Sequence, residues 1–405
     1  VASTENIRTN TNATFLQNIN VSGITTVGGG VTISESGIEA SGIGITCANI
    51  NGGQIGGRRN LVINGAMRVA QRGTSSTSAG YYTIDRIRNA EGGTDENPTQ
   101  EQGSVASGTT PYSLGFRKTF KHTNGNQTGG AGATDYYGVL EHSIEAQDVE
   151  QSGWNYKSSS SFITLSFWIK SSVAQVFSGS IELPDSSSIK FFKYDTPSLS
   201  ADTWTKVTKT IPGNSNLDVS NDSGAGLIIR LYAYIGTTYT TSNSDTETWV
   251  SGSNRYANTM TTTWYTTNDA TLELTGLQLE VGPQATPFEH RPIGEELKLC
   301  QRFFQKYTSP RLRGVIGSNS TSINRMGMTL ITEMRANPSA VWSGNQSIYD
   351  GGGTATITAI AAPYVDHVSF EMDATITGTM DSGSGSCVCS YLDGNEATLS
   401  LDAEI

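Results

Sequence analysis

The stretch Phe162-Ile-Thr-Leu-Ser-Phe-Trp-Ile169 decides the fold class of this 405-residue chain. It is a short apolar run between polar residues, and it lacks the three-and-four spacing of an amphipathic helix. Runs of the same kind follow at Lys190–Tyr194, Leu227–Ile235 and Ala270–Leu279. Gly, Asn, Asp, Ser and Pro bound these runs, as turn residues bound short strands. The pattern predicts an all-β sandwich or barrel over residues 59–291.

The last of these runs changes its inward face at Gly276. Leu272 and Leu274 occupy even positions, whereas Leu277 and Leu279 occupy odd ones. Because side chains alternate between the two faces of a strand, one extra residue is needed to keep all four leucines on the same face. The sequence therefore predicts a β-bulge at Gly276.

The composition excludes several classes of partner. Only 16% of the residues are charged, the net charge is −11 and the pI is near 4.9, and no basic run is longer than Arg58-Arg59. Nucleic acids and anionic lipids need a clustered basic surface, so we expect neither as a partner. No apolar stretch is long enough to span a bilayer, which predicts no membrane insertion. The first residues also lack the pattern of a secretory signal, so we expect no export by that route.

The chain is long enough for two to four folding units. Residues 1–58 are rich in glycine, and Ser-Gly-Ile recurs at Ser22, Ser36 and Ser41. Short β segments between glycine turns cannot bury much area alone, which favours an N-terminal attachment segment, a β stalk that wraps with other chains, over a flexible linker with chance repetition. After this segment we predict a jelly-roll β-sandwich at 59–291, a connecting helix at 292–308 and a small distal β domain at 309–405.

The stretch Gly294–Tyr307 has the clearest helical pattern in the chain. Leu297, Cys300, Phe304 and Tyr307 recur at intervals of three and four residues and would form one apolar stripe. Three copies meeting on an axis could bury this stripe, and the alternative is a helix that packs on its own domain. Beyond it, alternating segments predict further strands at 326–333, 354–360, 367–376 and 397–401.

An ordered series of motifs resembles the tail fibres of bacteriophages and prophages, especially those of marine and cyanobacterial phages. The motifs are Asn60–Gly73, Tyr82–Arg86, Ser166–Ser171, Thr203–Val207, Gly276–Pro283, Ala285–Glu289, Glu296–Phe304, Glu333–Pro338 and Asp402–Ile405. The departures, Ile87 and Phe303, stand where the family commonly has Trp and Tyr. The resemblance implies a homotrimeric virion fibre with a carbohydrate-binding-module-like jelly roll and a distal domain that faces the host.

The same resemblance implies where the protein acts and what it contacts. It would be made in the cytoplasm of the host bacterium and reside in the virion. Its N-terminal segment would attach to other tail or baseplate proteins, and its outer domains would adhere to a polysaccharide of the host cell surface. Asp85 and Arg86 within the motifs are expected to form a partly buried structural pair.

Aromatic residues in polar surroundings are the candidates for sugar contacts, because a pyranose stacks its apolar face on a flat ring. The preferred site is the stretch 236–268, and Tyr136 with Tyr137 is a second choice. A third choice is Trp342 with Tyr349, whereas Trp168 and Trp204 are expected in the core. The candidates in the preferred stretch are Trp249, Tyr256, Trp264 and Tyr265.

No arrangement of residues points to an enzyme, a cofactor or a metal ion. The four histidines lie in no nucleophile context, and the glycine-rich stretches lack the Lys and helix of a phosphate loop. The cysteines at 47, 300, 387 and 389 are too few and too irregular for a disulfide framework, and a metal site at Cys387 and Cys389 would need two further ligands at compatible spacing. The cluster of Glu141, Glu145, Asp148 and Glu150 is predicted to be a solvated acidic face. Two alternatives to an adhesive fibre stay open: a purely structural capsid or tail fibre, and a glycan-degrading tailspike.

Overall fold

The computed structural model describes residues 58–241, 245–252, 256–310, 312–316, 322–344, 346–349, 354–378, 389–391 and 397–405. The predicted stalk lies outside this part of the chain apart from Arg58, and so do Cys47 and Cys387. None of the helices among the described residues is long and apolar enough to cross a membrane.

Strands dominate the secondary structure, which confirms the predicted all-β fold. In chain order they are β1 (Ser75–Ser76), β2 (Arg88–Gly92), β3 (Thr99–Ser104), β4 (Lys118–Thr123), β5 (Tyr136–Glu145), β6 (Phe162–Ser171), β7 (Ser178–Leu183), β8 (Lys190–Asp195), β9 (Thr205–Pro212), β10 (Ala225–Ile235), β11 (Thr240–Thr241), β12 (Trp249–Ser251), β13 (Ala257–Asn258), β14 (Thr271–Val281), β15 (Phe304–Thr308), β16 (Arg313–Ile316), β17 (Ser322–Thr329), β18 (Ser339–Ser343), β19 (Gln346–Tyr349), β20 (Thr354–Val365), β21 (Ser369–Gly378), β22 (Cys389–Tyr391) and β23 (Thr398–Asp402). The helices are α1 (Thr110–Ser113), α2 (Ala146–Glu150) and α3 (Ile293–Gln301).

Two antiparallel sheets of six described strands each form a β-sandwich. The first sheet has the order β1-β3-β4-β14-β6-β9, and the second has the order β12-β8-β7-β10-β5-β2. One apolar cluster contains Phe167 and Leu274 from the first sheet together with Ile181 and Ile229 from the second. Because both sheets contribute to a single core, the prediction of a β-sandwich is confirmed.

The alternation of β6 shows how the sequence assigns the two faces of a strand. Ile163, Leu165, Phe167 and Ile169 point into the core and are at most 1% exposed. Trp168 lies between them, so it points out of the sandwich and is only half-buried. Trp204 is half-buried as well. The expectation that Trp168 and Trp204 belong to the core is therefore wrong.

The predicted bulge at Gly276 is confirmed. The pairing of β14 with β6 shifts register between Thr275 and Gln278. Gly276 has a φ of 67°, a left-handed conformation that glycine adopts without steric cost. The ring of Phe116 packs against it so closely that a Cβ at this position would lie 2.7 Å from Cζ of that ring.

The helix predicted over 294–307 ends earlier than its apolar pattern suggests. α3 stops at Gln301, and Phe304 and Tyr307 lie on β15, which pairs with β23. Tertiary pairing overrides the helical spacing, so the four residues proposed for a trimer axis do not form one helical stripe. Cys300 and Phe304 are buried within the chain itself, and Leu297 is half-buried.

The chain beyond α3 forms two more sheets around a second apolar cluster. One has the order β15-β23-β18, and the other has the order β16-β17-β21-β20-β19-β22. Met326, Met372 and Leu399 are among the buried members of the cluster. The strands predicted at 326–333, 354–360, 367–376 and 397–401 correspond to β17, β20, β21 and β23. The exact domain limits stay a prediction.

Asp85 and Arg86 are buried, but they do not pair with each other. Arg86 forms an ion pair with Glu404 and lies 3.4 Å from the ring centre of Phe303. Asp85 accepts a hydrogen bond of 2.9 Å from the backbone N–H of Gln71. Arg86 therefore ties the sandwich to the strands that follow α3, which explains its burial without a catalytic role.

Candidate functional site

A cleft lined by tyrosines opens on the outer face of the second sheet. Arg230 and Tyr232 of β10 alternate with the core residues Ile229 and Leu231, so they point away from the core. The cleft has a volume of about 260 Å³. We call it the tyrosine cleft, and its lining residues are Arg88, Ala90, Tyr136, Glu141, Arg230, Tyr232, Ile235, Tyr239 and Tyr256.

Three half-buried rings form one wall of the cleft. Tyr136 and Tyr239 meet edge to face with ring centres 5.6 Å apart, and Tyr239 and Tyr256 do so at 6.5 Å. Tyr256 also packs against the ring of Phe191 at 5.2 Å. Edge-to-face contacts fix the orientation of the rings before any ligand arrives, which lowers the entropy lost on binding.

Two glycines on adjacent strands leave room for tyrosine rings of the cleft. Gly92 of β2 lies opposite Tyr136 of β5, and a Cβ at Gly92 would lie only 2.5 Å from Cε1 of that ring. Gly138 lies opposite Tyr232 in the same way and leaves space beside it. Tyr232 is 7% exposed, and burial raises the pKa of its phenol well above the usual range, so it stays neutral.

The polar part of the cleft is an ion-pair network across three strands. Glu141 of β5 lies directly opposite Arg88 of β2 and Arg230 of β10. It accepts hydrogen bonds from Arg88 Nη1 at 2.8 Å and from Arg230 Nε at 3.1 Å. Arg230 pairs in addition with Glu182. Two guanidinium groups are thus balanced by two carboxylates.

Arg88 is the member of this network that solvent reaches most easily, with 41% of its side chain exposed. Burial is the largest single effect on the pKa of Arg88 and lowers it, but the charge and hydrogen bond of Glu141, together with Tyr81 and Tyr136, raise it by more, so the net pKa is raised. Arg88 is therefore a fixed cation with N–H donors accessible to a ligand.

The structure brings together one member of each of the first two predicted aromatic sets, Tyr136 and Tyr256. Tyr137, Trp264 and Tyr265 are fully buried in the core of the sandwich, so they are inaccessible and their prediction as sugar-contacting residues is wrong. Tyr137 follows Tyr136 on one strand and therefore points to the opposite face, where its hydroxyl meets Nδ1 of His122 at 2.5 Å.

The remaining predicted rings lie elsewhere. Trp249 packs at the edge of the core and donates its indole N–H to the carbonyl oxygen of Pro212 at 2.7 Å. Trp342 lies on β18 and donates to the carbonyl oxygen of Gly344 at 3.0 Å. Tyr349 lies on β19, where its backbone pairs with Thr354.

Sequence reasoning missed the charged residues of the cleft and two of its rings. The sequence predicts Glu141 in a solvated acidic face, but Glu141 binds two arginines, and Glu145 of the same predicted face is buried beside Arg302 at 3.0 Å. Tyr232 carries no signal apart from its position within β10, and Tyr239 lies in the predicted stretch 236–268 but is not among the rings named there. Among the described residues, no group of three or more His, Cys, Asp or Glu side chains is placed to hold a metal ion.

Comparisons with known proteins give neither a family nor a relative in sequence. No family model matches the chain, and no curated protein matches it. Solved structures with some similarity include a protein of Bacteroides thetaiotaomicron described as sugar-binding, with 14% identity over 55% of this chain and 99% of that chain and a TM-score of 0.28.

Two further structures contain CBM22 modules. One holds the CBM22-1 and GH10 modules of Clostridium thermocellum xylanase 10B with xylohexaose, at 10% identity over 55% of this chain and 30% of that chain, with a TM-score of 0.25. The other is the CBM22-1 and CBM22-2 tandem of Paenibacillus barcinonensis Xyn10C, at 8% identity over 78% of this chain and 93% of that chain, with a TM-score of 0.23. With TM-scores this low, none of these likenesses carries an argument about the function of this chain.

Proposed function

We propose that this protein binds saccharides in the tyrosine cleft and that its biological ligand is a glycan on a bacterial surface. The observation that carries the proposal is the convergence of Tyr136, Tyr239 and Tyr256 on one cleft whose polar side is formed by Arg88 and Glu141. Rings provide the apolar platform that the C–H face of a pyranose requires, and the guanidinium provides donors for its hydroxyl oxygens.

The size of the cleft limits what it accepts. Its volume of about 260 Å³ lies just below the range of about 300–1,000 Å³ that holds drug-sized ligands. A cleft of this size suits one or two sugar rings at the end or edge of a longer glycan. Because its two arginines are balanced by Glu141 and Glu182, it favours a neutral sugar.

We propose that the protein binds without cleaving. Both oxygens of Glu141 accept hydrogen bonds from arginines, so this carboxylate is part of a structural ion-pair network and neither oxygen is left to serve as the acid or nucleophile of a glycosidase. The alternative, a glycan-degrading tailspike, predicts the release of reducing ends from host polysaccharide. Incubation of the purified protein with that polysaccharide, followed by a reducing-end assay, distinguishes the two.

We further propose that the protein is a homotrimeric fibre of a bacteriophage virion, attached to tail or baseplate proteins through its N-terminal segment. This part rests on the ordered motif series and on the Ser-Gly-Ile repeats in residues 1–58. Light scattering tests it: a stable monomer near 43 kDa would contradict the trimer. A purely structural fibre would be a trimer that binds no glycan.

Adsorption of the fluorescently labelled protein to candidate host cells tests the adhesive role. Tyr136→Ala combined with Tyr256→Ala should abolish adsorption that soluble surface polysaccharide competes away, because loss of an aromatic platform costs about 1 kcal/mol or more per ring. Tyr82→Ala is the matched control, since Tyr82 is 48% exposed and lies outside the cleft. Unchanged adsorption of a folded double variant would contradict the proposed site.

A further inference from the structure

A second aromatic cavity lies on the outer face of the first sheet, on the other side of the sandwich core from the tyrosine cleft. It has a volume of about 400 Å³. Outward-pointing residues of β6 and β9, the bulge of β14 and the segment 285–290 surround it. We call it the tryptophan hollow, and the residues that matter for its chemistry are Phe116, Ser166, Trp168, Lys206, Gly276 and Phe288.

Aromatic packing holds the hollow open. The ring of Phe288 meets Phe116 at 4.9 Å and 69°, and His290 lies 5.1 Å from Phe116 and 4.9 Å from Phe288. Phe116 itself is 2% exposed and rests on Gly276, where a side chain would collide with it. The walls are therefore set by the fold, while Trp168 and Phe288 stay half-buried at the surface of the hollow.

The indole of Trp168 differs from that of four other tryptophans in the chain. Trp154, Trp249, Trp264 and Trp342 each donate their Nε1–H to a backbone carbonyl oxygen. Trp168 donates to no acceptor within the described residues. An indole normally finds a partner for this group when it is buried. The half-buried Trp168 thus presents both a ring face and a donor to whatever enters the hollow.

The charge of the hollow differs from that of the tyrosine cleft. Lys206 lies directly across from Trp168 on the neighbouring strand and is exposed. The nearby Lys170 is neutralised by Glu273 at 2.7 Å, whereas Lys206 forms no ion pair with any described residue. The described residues that line the hollow include no carboxylate. The hollow is therefore an aromatic site with a cation that has no counterion.

We propose that the tryptophan hollow is a second saccharide site, specific for a sugar that carries a carboxylate, such as a uronic acid. The C–H face of the pyranose packs on Trp168 and Phe288, the indole N–H donates to a ring hydroxyl, and Lys206 binds the carboxylate. The site is separate from the tyrosine cleft in position and in ligand, so each is testable in the absence of the other.

The probes are the methyl glycosides of glucuronic and galacturonic acid, with those of glucose and galactose as partners that lack the carboxylate. Binding to the full chain is measured by saturation-transfer NMR and by titration in the millimolar range. All measurements use the Tyr136→Ala, Tyr256→Ala background, which removes two rings of the tyrosine cleft. The result therefore does not depend on whether the tyrosine cleft binds a saccharide. At least one uronide should bind fivefold or more tightly than its neutral partner.

Three variants assign the binding to the hollow. Trp168→Ala should weaken binding at least tenfold, and Trp204→Ala, which removes a half-buried tryptophan outside the lining, should leave it unchanged. Lys206→Ala should reduce the uronide to the affinity of its neutral partner. Because Lys206 is exposed, this variant keeps the test valid even where Trp168→Ala does not fold.

The proposal is overturned if neither uronide binds. It is also overturned if neither Trp168→Ala nor Lys206→Ala changes the affinity for the uronide. It is also overturned if Trp168→Ala converts an oligomer into smaller species in sedimentation, because the hollow would then be a contact between copies of this chain.

Discussion

Replacing His142 by asparagine should make the folded protein less sensitive to acid. The imidazole is fully buried, and its Nδ1 lies 2.9 Å from the carbonyl oxygen of Arg86, to which it donates. Burial lowers the pKa of His142 from 6.5 to about 3, and the charge of Arg86 acts in the same direction. An asparagine amide retains a donor for the carbonyl oxygen but does not titrate.

The size of the effect follows from proton linkage. Below pH 6.5 the unfolded chain binds a proton at His142 that the folded chain binds only near pH 3, so stability falls as the pH falls between these values. Each pH unit is worth about 1.4 kcal/mol, so the loss at about pH 4.5 amounts to roughly 2.7 kcal/mol. Asp85 acts in the opposite sense, because burial raises its pKa to about 6 and the folded state takes up its proton first. That contribution is shared by the wild type and the variant.

Urea unfolding at about pH 7 and about pH 4.5, followed by tryptophan fluorescence, measures the effect. The difference in unfolding free energy between the two pH values should be smaller in His142→Asn than in the wild type by roughly 2.7 kcal/mol. His367→Asn is the control, since half of that side chain is exposed and its replacement should leave the difference unchanged. An equal pH dependence in His142→Asn and the wild type would refute the reasoning.

Two further substitutions test the cleft and the junction. Gly92→Ala should weaken competable adsorption about as much as Tyr136→Ala, because the added Cβ would displace the ring of Tyr136. Gly294→Ala, whose Cβ would have no atom within 4 Å, should leave adsorption unchanged, and adsorption of Gly92→Ala equal to that of the wild type would contradict the packing of Gly92 against Tyr136. Arg86→Ala should lower the free energy of unfolding in urea by about 3 kcal/mol, because the buried Glu404 carboxylate keeps, among the described residues, only Arg72 as an ion-pair partner at 3.3 Å and the carbonyl oxygen of Ser143 loses its donor. A loss below about 1 kcal/mol would show that the pair of Arg86 and Glu404 is not structural.

Much of the sandwich could be predicted because its strands show a local alternation of apolar and polar residues. The alternation in Phe162–Ile169 and the change of face at Gly276 depend on neighbouring residues alone, and both appear in the structure. The end of α3 could not be predicted in this way. Phe304 and Tyr307 continue the helical spacing, and only their pairing with Asp402 and Leu399, far along the chain, makes them a strand.

The cleft illustrates a different limit. Tyr136 and Tyr137 are chemically equal in the sequence, yet strand alternation sends one to the surface and the other to the core. The network around Glu141 depends on the register of β5 with β2 and β10, which lie far from it in sequence. Local sequence patterns do not predict such a long-range register. Trp264, in a polar stretch, is buried because that stretch folds back over the core and satisfies the indole N–H with Thr271.

The segments that carry the fibre resemblance and the residues that line the tyrosine cleft are different sets, and this separation has a physical consequence. The motif residue Arg86 is buried at the junction, so its replacement costs stability. Arg88 and Tyr256 are exposed or half-buried and lie outside every motif. Because outward positions on a strand can change without disturbing the inward ones, the cleft can acquire a new ligand specificity at little cost to folding. We therefore expect substitutions of Tyr256 to alter the proposed glycan binding while the free energy of unfolding stays nearly constant.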